Sequence, residues 1–294
     1  MQKERLDVLL TERKLVESRS LAQKLIMAGQ VRVKGQVERT PAARFPLDVE
    51  ISVDHGPRYV SRGGEKLEPA LVAFGLDRLD GRVCADIGAS TGGFTDCLLQ
   101  HGAEKVYSVD VGYGELHWKL RTDPRVVVME RTNARYVEQF PEAVTLVTID
   151  ASFISLRILL PAVHRWLEGQ HPGEVVALIK PQFEAGRVEV SRGDGVIRDP
   201  DIHRRVLIEI LDSARQEGFD VRGLIRSPLK GPKGNVEFLV HLMVGFDGIP
   251  VDLFALVDEA MTGLEDRAAN PDSGAADASN NGQVEHQHST GLSF

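Results

Sequence analysis

The pattern of apolar and polar positions divides the chain into a short amphipathic stretch, a long alternation of strand and helix signals, and a tail without periodicity. Residues 4–14 place Leu6, Leu9 and Leu10 on one helical stripe. Ser18 or Ser20 can cap a second helix that carries Leu21, Leu25 and Ile26 and stops at Gly29. Val31-Arg32-Val33 then alternates, Lys34-Gly35 turns, and Gln36-Val37 begins a return strand. This helix pair with its small β element is too short to bury much surface alone. After a linker near Asp54 to Arg62 come a helix over Gly64 to Phe74 and strands near residues 83, 105, 126, 145 and 174, with helices between them. That alternation predicts a parallel α/β sheet. Val221 to Ser227 and Val236 to Gly245 are joined by too few residues for a crossover helix, so they are expected to pair antiparallel. From about Thr262 the chain fills with Ala, Asp, Ser, Asn and Gly, and disorder is expected. The expected organisation is residues 1–59, 60–262 and 263–294.

Within the α/β region, Val83 to Phe94 runs from a β-branched strand into Asp86-x-Gly88-x-x-x-Gly92-Gly93 and resumes as a helix. Glycines let the backbone pass close to a ligand, and a helix N-terminus offers unpaired N–H groups. The next strand, Lys105 to Val111, carries Asp110 where a carboxylate can accept both hydroxyls of a ribose. The loop lacks the Gly-Lys-Ser/Thr ending of a P-loop and the G-x-G-x-x-G spacing of dinucleotide sites. Asp86 would repel a pyrophosphate yet suits a cationic sulfonium and amino group, so S-adenosylmethionine (AdoMet) is the expected ligand. The plain alternative, a strand-turn-helix whose glycines serve packing, stays open on this segment alone.

Charge changes the picture of the first unit. The net charge of −8 over 294 residues argues against nucleic-acid binding only as a sum. From Arg13 to Arg44 the chain carries eight Lys or Arg, and the acids crowd after Asp258. Arg19, Lys24, Arg32 and Lys34 can form a phosphate-tracking face or simply a solvated one. Two cysteines, Cys84 and Cys97, fit buried thiols in a reducing compartment and supply no metal framework; no metal is expected. His286 and His288 lie in the tail and are expected to face solvent. No apolar run approaches ~18 residues, so a cytoplasmic protein without a membrane span is expected.

Ligands of parallel sheets bind beyond the carboxyl ends of the strands. Asp150 closes Thr145–Ile149, Lys180 closes Val175–Ile179, and Glu237 starts the last strand, which runs the opposite way and so begins on the same side. Lys66 lies early on the entering helix. Singly, each is a charge where the chain returns to water. Together they suit removal of an alcohol proton during attack on a methyl group. A lysine with its reference pKa of ~10.4 is no base at neutral pH, but burial and a neighbouring ammonium lower that value. Lys66 beside Lys180 would supply the like charge, with Asp150 and Glu237 holding the lysines and orienting the hydroxyl.

Glu4-Arg5-Leu6-Asp7, Ser18 to Ile26 and Val31 to Gly35 resemble the RNA-binding domain named after ribosomal protein S4, which implicates Arg5, Arg19, Lys24, Arg32 and Lys34 in RNA contact. The order Lys66, Asp150, Lys180, Glu237 resembles the tetrad of FtsJ-like ribose 2′-O-methyltransferases, whose fold is a mostly parallel Rossmann-like sheet ending in an antiparallel strand. With Val60 to Leu67, Asp86 to Asp96, Asp150 to Leu156 and Ile179 to Glu184, about 250 residues look like the TlyA family. The resemblance implies AdoMet-dependent 2′-O-methylation of ribosomal RNA, at cytidine, with ribosomal RNA or ribosomal subunits as partner and Lys180 as base. It assigns Asp86, Gly88, Ala89, Ser90, Gly92, Gly93, Phe94 and Asp110 to the cofactor and places Asn133 in the adenine-binding segment. The rival expectations are a non-catalytic RNA- or ribosome-assembly-binding protein and a haemolysin-type toxin. A base methyltransferase is disfavoured because Asp150-Ala151-Ser152-Phe153 stands where an Asn-Pro-Pro-Tyr-type loop would be.

Overall fold

The computed structural model describes residues 2–54, 56–246 and 248–262; the tail expected to be disordered and its two histidines lie outside them. Two compact units divide at Gly64/Glu65. The first contains β1 (Lys3–Arg5), α1 (Leu6–Glu12), α2 (Arg19–Met27), β2 (Val31–Val33), β3 (Gln36–Glu38), β4 (Arg44–Pro46) and β5 (Ile51–Val53). β1 pairs antiparallel with β4, and β2 pairs with both β3 and β5. The helix expected from residue 4 therefore starts later, at Leu6, because Lys3 to Arg5 are extended against Arg44 to Pro46. Ser18 is the cap of α2, its hydroxyl accepting from the Leu21 N–H at 3.2 Å. Lys34 and Gly35, with φ of 50° and 79°, make the tight hairpin turn that suits the strand twist. Leu6, Leu9, Leu10, Ala22, Ile26, Val31 and Val33 form the core of this unit.

The second unit begins within α3 (Arg62–Ala73) and continues β6 (Val83–Ile87), α4 (Gly93–Gln100), β7 (Lys105–Val109), α5 (Trp118–Arg121), β8 (Val126–Met129), β9 (Leu146–Ile149), α6 (Leu156–Leu167), β10 (Gly173–Ile179), α7 (Pro181–Glu184), α8 (Arg187–Arg192), α9 (Pro200–Gln216), β11 (Phe219–Arg226), β12 (Phe238–Val244) and α10 (Leu253–Met261). Seven strands form one sheet in the order β11-β12-β10-β9-β6-β7-β8. The strands from β8 to β10 are parallel, and β12 is antiparallel to both β10 and β11. β10 is buried along its whole length, as its apolar run Val175–Ile179 suits, and the buried Glu174 at its start is matched by Arg82 and His241. Strand order reverses beside β6, and register carries the chemistry to one edge: Ile87 lies opposite Val109 and Ile149, and Ile179 opposite Phe238. The residues just beyond these pairs are Gly88, Asp110, Asp150, Lys180 and Glu237.

Candidate active site

The loop after β6 is built by close approach. Gly88 has φ +82°, and a Cβ there would stand 2.8 Å from the Asp150 carbonyl oxygen. Only glycine tolerates both conditions. Gly92, at φ +96°, would drive a Cβ into Leu120, 2.2 Å away. Ser90 takes φ 47° without being glycine, and its N–H donates to Asp110 Oδ2 at 2.8 Å. The Gly112 N–H holds Asp110 Oδ1 at 2.7 Å, so the half-buried carboxylate is fixed at the loop. Asn133 Oδ1 accepts from the Arg135 N–H at 3.1 Å and caps a short 3₁₀ turn beyond β8. Ala89, Gly93 and Phe94 are buried behind the loop, while Ser90 is exposed.

Asp86 departs from its expected place. It is wholly buried, with Oδ2 accepting from Thr95 Oγ1 at 2.7 Å and Oδ1 from Thr148 Oγ1 at 3.1 Å. Burial pushes its carboxyl up to about 7, against the opposing pull of the two hydroxyls. It braces the loop from beneath instead of presenting a free carboxylate to a ligand.

Two ion pairs stand at the carboxyl edge. Lys180 Nζ lies 2.6 Å from Asp150 Oδ1, a contact of charge without hydrogen-bond alignment, and donates to Ser152 Oγ at 2.9 Å. Lys66 Nζ donates to the buried Glu237 Oε2 at 2.7 Å. Gln182 Nε2 occupies the other Glu237 oxygen at 3.1 Å. Each lysine is thus matched to a carboxylate, the arrangement expected of Asp150 and Glu237 as the groups that hold the lysines. Ser152 and Gln182 escaped sequence reasoning although both lie two residues beyond a charged strand end, which was the available signal. Phe153, with φ 65° and 90% exposed, packs its ring 5.0 Å from that of Phe183.

In the first unit, two of the arginines expected to face RNA also bond a buried acid, and Arg19 stays exposed. Asp7 is buried and accepts from Arg5 Nε, Arg19 Nε and Gln23 Nε2 at 3.0, 3.0 and 2.8 Å. The Arg5 guanidinium, ahead of Gln23 and Arg19, holds the Asp7 carboxyl well below the usual carboxylate range. Lys24, Arg32 and Lys34 are exposed. Cys84 and Cys97 are buried thiols outside any disulfide, and burial pushes the Cys84 thiol up to about 12. Among the described residues no cluster of three or more His, Cys, Asp or Glu is arranged to hold a metal.

Residues 59–243 match the FtsJ-like methyltransferase family and residues 4–51 the S4 domain. The chain is 46% identical over 282 residues to YqxC of Bacillus subtilis, covering 91% of this chain and 98% of that one. It is 45% identical over 249 residues to a Mycobacterium tuberculosis protein named 16S/23S rRNA (cytidine-2′-O)-methyltransferase TlyA, covering 83% and 91% respectively. A solved Streptococcus thermophilus structure described as a hemolysin superposes with a TM-score of 0.65 at 43% identity, over 92% of this chain and 99% of that one.

Proposed function

Because the chain belongs to the TlyA family of FtsJ-like methyltransferases and carries an S4 domain, we propose that it methylates the ribose 2′-hydroxyl of cytidine in ribosomal RNA, using AdoMet. The observation that carries this reading is the pairing of Lys180 with Asp150 at 2.6 Å and of Lys66 with Glu237 at 2.7 Å, at strand ends beside a glycine-built loop. The loop's donor set fits a nucleoside: Asp110 is a fixed acceptor for vicinal hydroxyls, Ser90 lies at the surface, and Asn133 stands beyond the neighbouring strand. AdoMet, when bound, supplies an electrophilic methyl group.

Lys180 takes the proton of the 2′-hydroxyl as the oxygen becomes a nucleophile. The ammonium so formed faces Asp150, and Ser152 accepts one of its hydrogens. Lys66 and Glu237 form the second wall, with Glu237 buried and unable to drift. Most of the acceleration comes from alignment of hydroxyl and methyl by these fixed groups. The exposed Lys24, Arg32 and Lys34 hold RNA phosphates.

The test is transfer of labelled methyl from AdoMet to ribosomal subunits and naked ribosomal RNA, followed by alkaline hydrolysis. Label in alkali-resistant dinucleotides that contain cytidine supports the reading, because a methylated 2′-oxygen cannot attack the neighbouring phosphodiester. Label in mononucleotides would assign a base methyltransferase, and tight RNA binding without label would assign a pure binding protein. A toxin reading takes its support from the hemolysin names of similar proteins, among them Hemolysin A of Brachyspira hyodysenteriae, 44% identical over 243 residues; no helix among the described residues is long and apolar enough to cross a membrane. Lysis of erythrocytes by the purified chain would favour it.

A further inference from the structure

Register delivers Asp150, Lys180 and Glu237 to neighbouring strand ends and α3 brings Lys66 to Glu237, but the side chains still need a support that sets one pair against the other. The short helix α7, which starts directly after Lys180, reaches both. On one side, Gln182 Nε2 donates to Glu237 Oε1 at 3.1 Å, while Lys66 occupies Glu237 Oε2. An ionised carboxylate only accepts, so the Gln182 amide must turn its NH₂ toward Glu237. Its Oε1 is left buried without a donor, a cost accepted for that hydrogen bond. On the other side, Glu184 accepts from Ser155 Oγ at 2.5 Å and from the Leu156 N–H at 2.8 Å. Between them, the Phe183 ring lies 5.0 Å from that of Phe153. The segment fastened in this way, residues 150–156, is the one that supplies Asp150 and Ser152 to Lys180.

We propose that Gln182 and Glu184 are positioning residues, coupling the Lys66–Glu237 pair to the Lys180–Asp150 pair through α7 so that the four groups act as one site. This rests on the ribose-methylation reading for its rate measurements. It goes beyond that reading in assigning work to two residues that need touch neither RNA nor AdoMet. Gln182 serves the pair furthest from it in sequence, and Glu184 serves the pair to which its own strand end belongs. Loss of either lets a wall of the site shift, and misplacement of about 1 Å is enough to cost roughly 100-fold in rate.

The test compares Gln182→Met, Gln182→Glu, Glu184→Ala and Glu184→Gln with wild type in the full chain. Gln182→Met and Glu184→Ala are expected to lower kcat roughly 10- to 100-fold with AdoMet affinity retained. Glu184→Gln keeps an acceptor for the Leu156 N–H and is expected to recover most of that loss. Gln182→Glu sets a carboxylate against Glu237, which otherwise faces Lys66 from α3 and the Gly231 backbone; Lys180 and Asp150 stand at the adjoining strand ends. Two carboxylates in contact favour a shared proton. When that proton leaves, the carboxylates repel and the hydrogen bond to Glu237 is lost, so kcat relative to wild type should fall as pH rises, and melting temperature should rise relative to wild type on acidification. The melting profile reads the carboxylate pair without turnover, so a wild type that fails to methylate ribose would strike the functional reading and leave this measurement standing. Variants that match wild type in kcat and in both pH profiles would overturn the proposal. So would variants whose activity, AdoMet affinity and melting temperature fall together with no rescue by Glu184→Gln, because that is the behaviour of a purely structural role.

Discussion

Asp86 shows how one residue can prepare a site without facing it. Thr95 and Thr148 supply its hydrogen bonds, yet burial dominates and holds its carboxyl at about 7. An unfolded aspartate titrates near ~3.9. Between those values the folded chain keeps a proton that the unfolded chain has released, so stability falls as pH rises from about 4 to about 7 and levels off above. Asp86→Asn removes the titration while keeping polar partners for both hydroxyls. Its unfolding free energy, measured by urea denaturation across that window, should be flatter in pH than that of wild type. Equal slopes would remove the assignment of a raised carboxyl to Asp86. Sequence spacing cannot tell a carboxylate at the loop surface from one engaged by Thr95 on the following helix and Thr148 on the adjoining strand β9.

At the scale of elements, local signals were legible and nonlocal pairings were not. Gly35 announced its turn because positive φ at the second corner suits glycine, and the Pro228 to Gly234 connection announced an antiparallel pair by being too short for a crossover. The extended start at Lys3 to Arg5 was hidden because its partner, Arg44 to Pro46, is remote in sequence. Lys66 was named from its motif, but its reach to Glu237 depends on how α3 lies against the sheet, which spacing does not encode. Ser18 illustrates a local device with a measurable weight. Replacing it by alanine leaves the Leu21 N–H at the start of α2 without its side-chain acceptor and should lower stability by ~1 kcal/mol, read from denaturant unfolding. No change in midpoint would show that water serves this N–H equally well.

On the scale of the whole molecule, the division of labour is one of charge. The chain is acidic in sum, yet its first unit exposes Lys24, Arg32 and Lys34. Arg5 and Arg19 are poorer choices for a test because they also hold Asp7. Changing Lys24 and Lys34 together to glutamate should weaken binding to ribosomal RNA and flatten the dependence of log K on log salt by ~0.7–0.9 for each phosphate that the chain ceases to neutralise. AdoMet binding should not change. An unaltered salt slope would move the RNA-docking face elsewhere on the chain.

In the proposed reaction Lys180 takes the proton of a ribose hydroxyl beside Asp150 and Ser152. Lys180→Arg tests it most directly, because a guanidinium keeps the positive charge toward Asp150 but stays protonated and cannot serve as a base. With labelled AdoMet and ribosomal subunits, methyl incorporation should be lost while AdoMet affinity and melting temperature stay close to those of wild type. Methyl transfer by Lys180→Arg at the wild-type rate would contradict it.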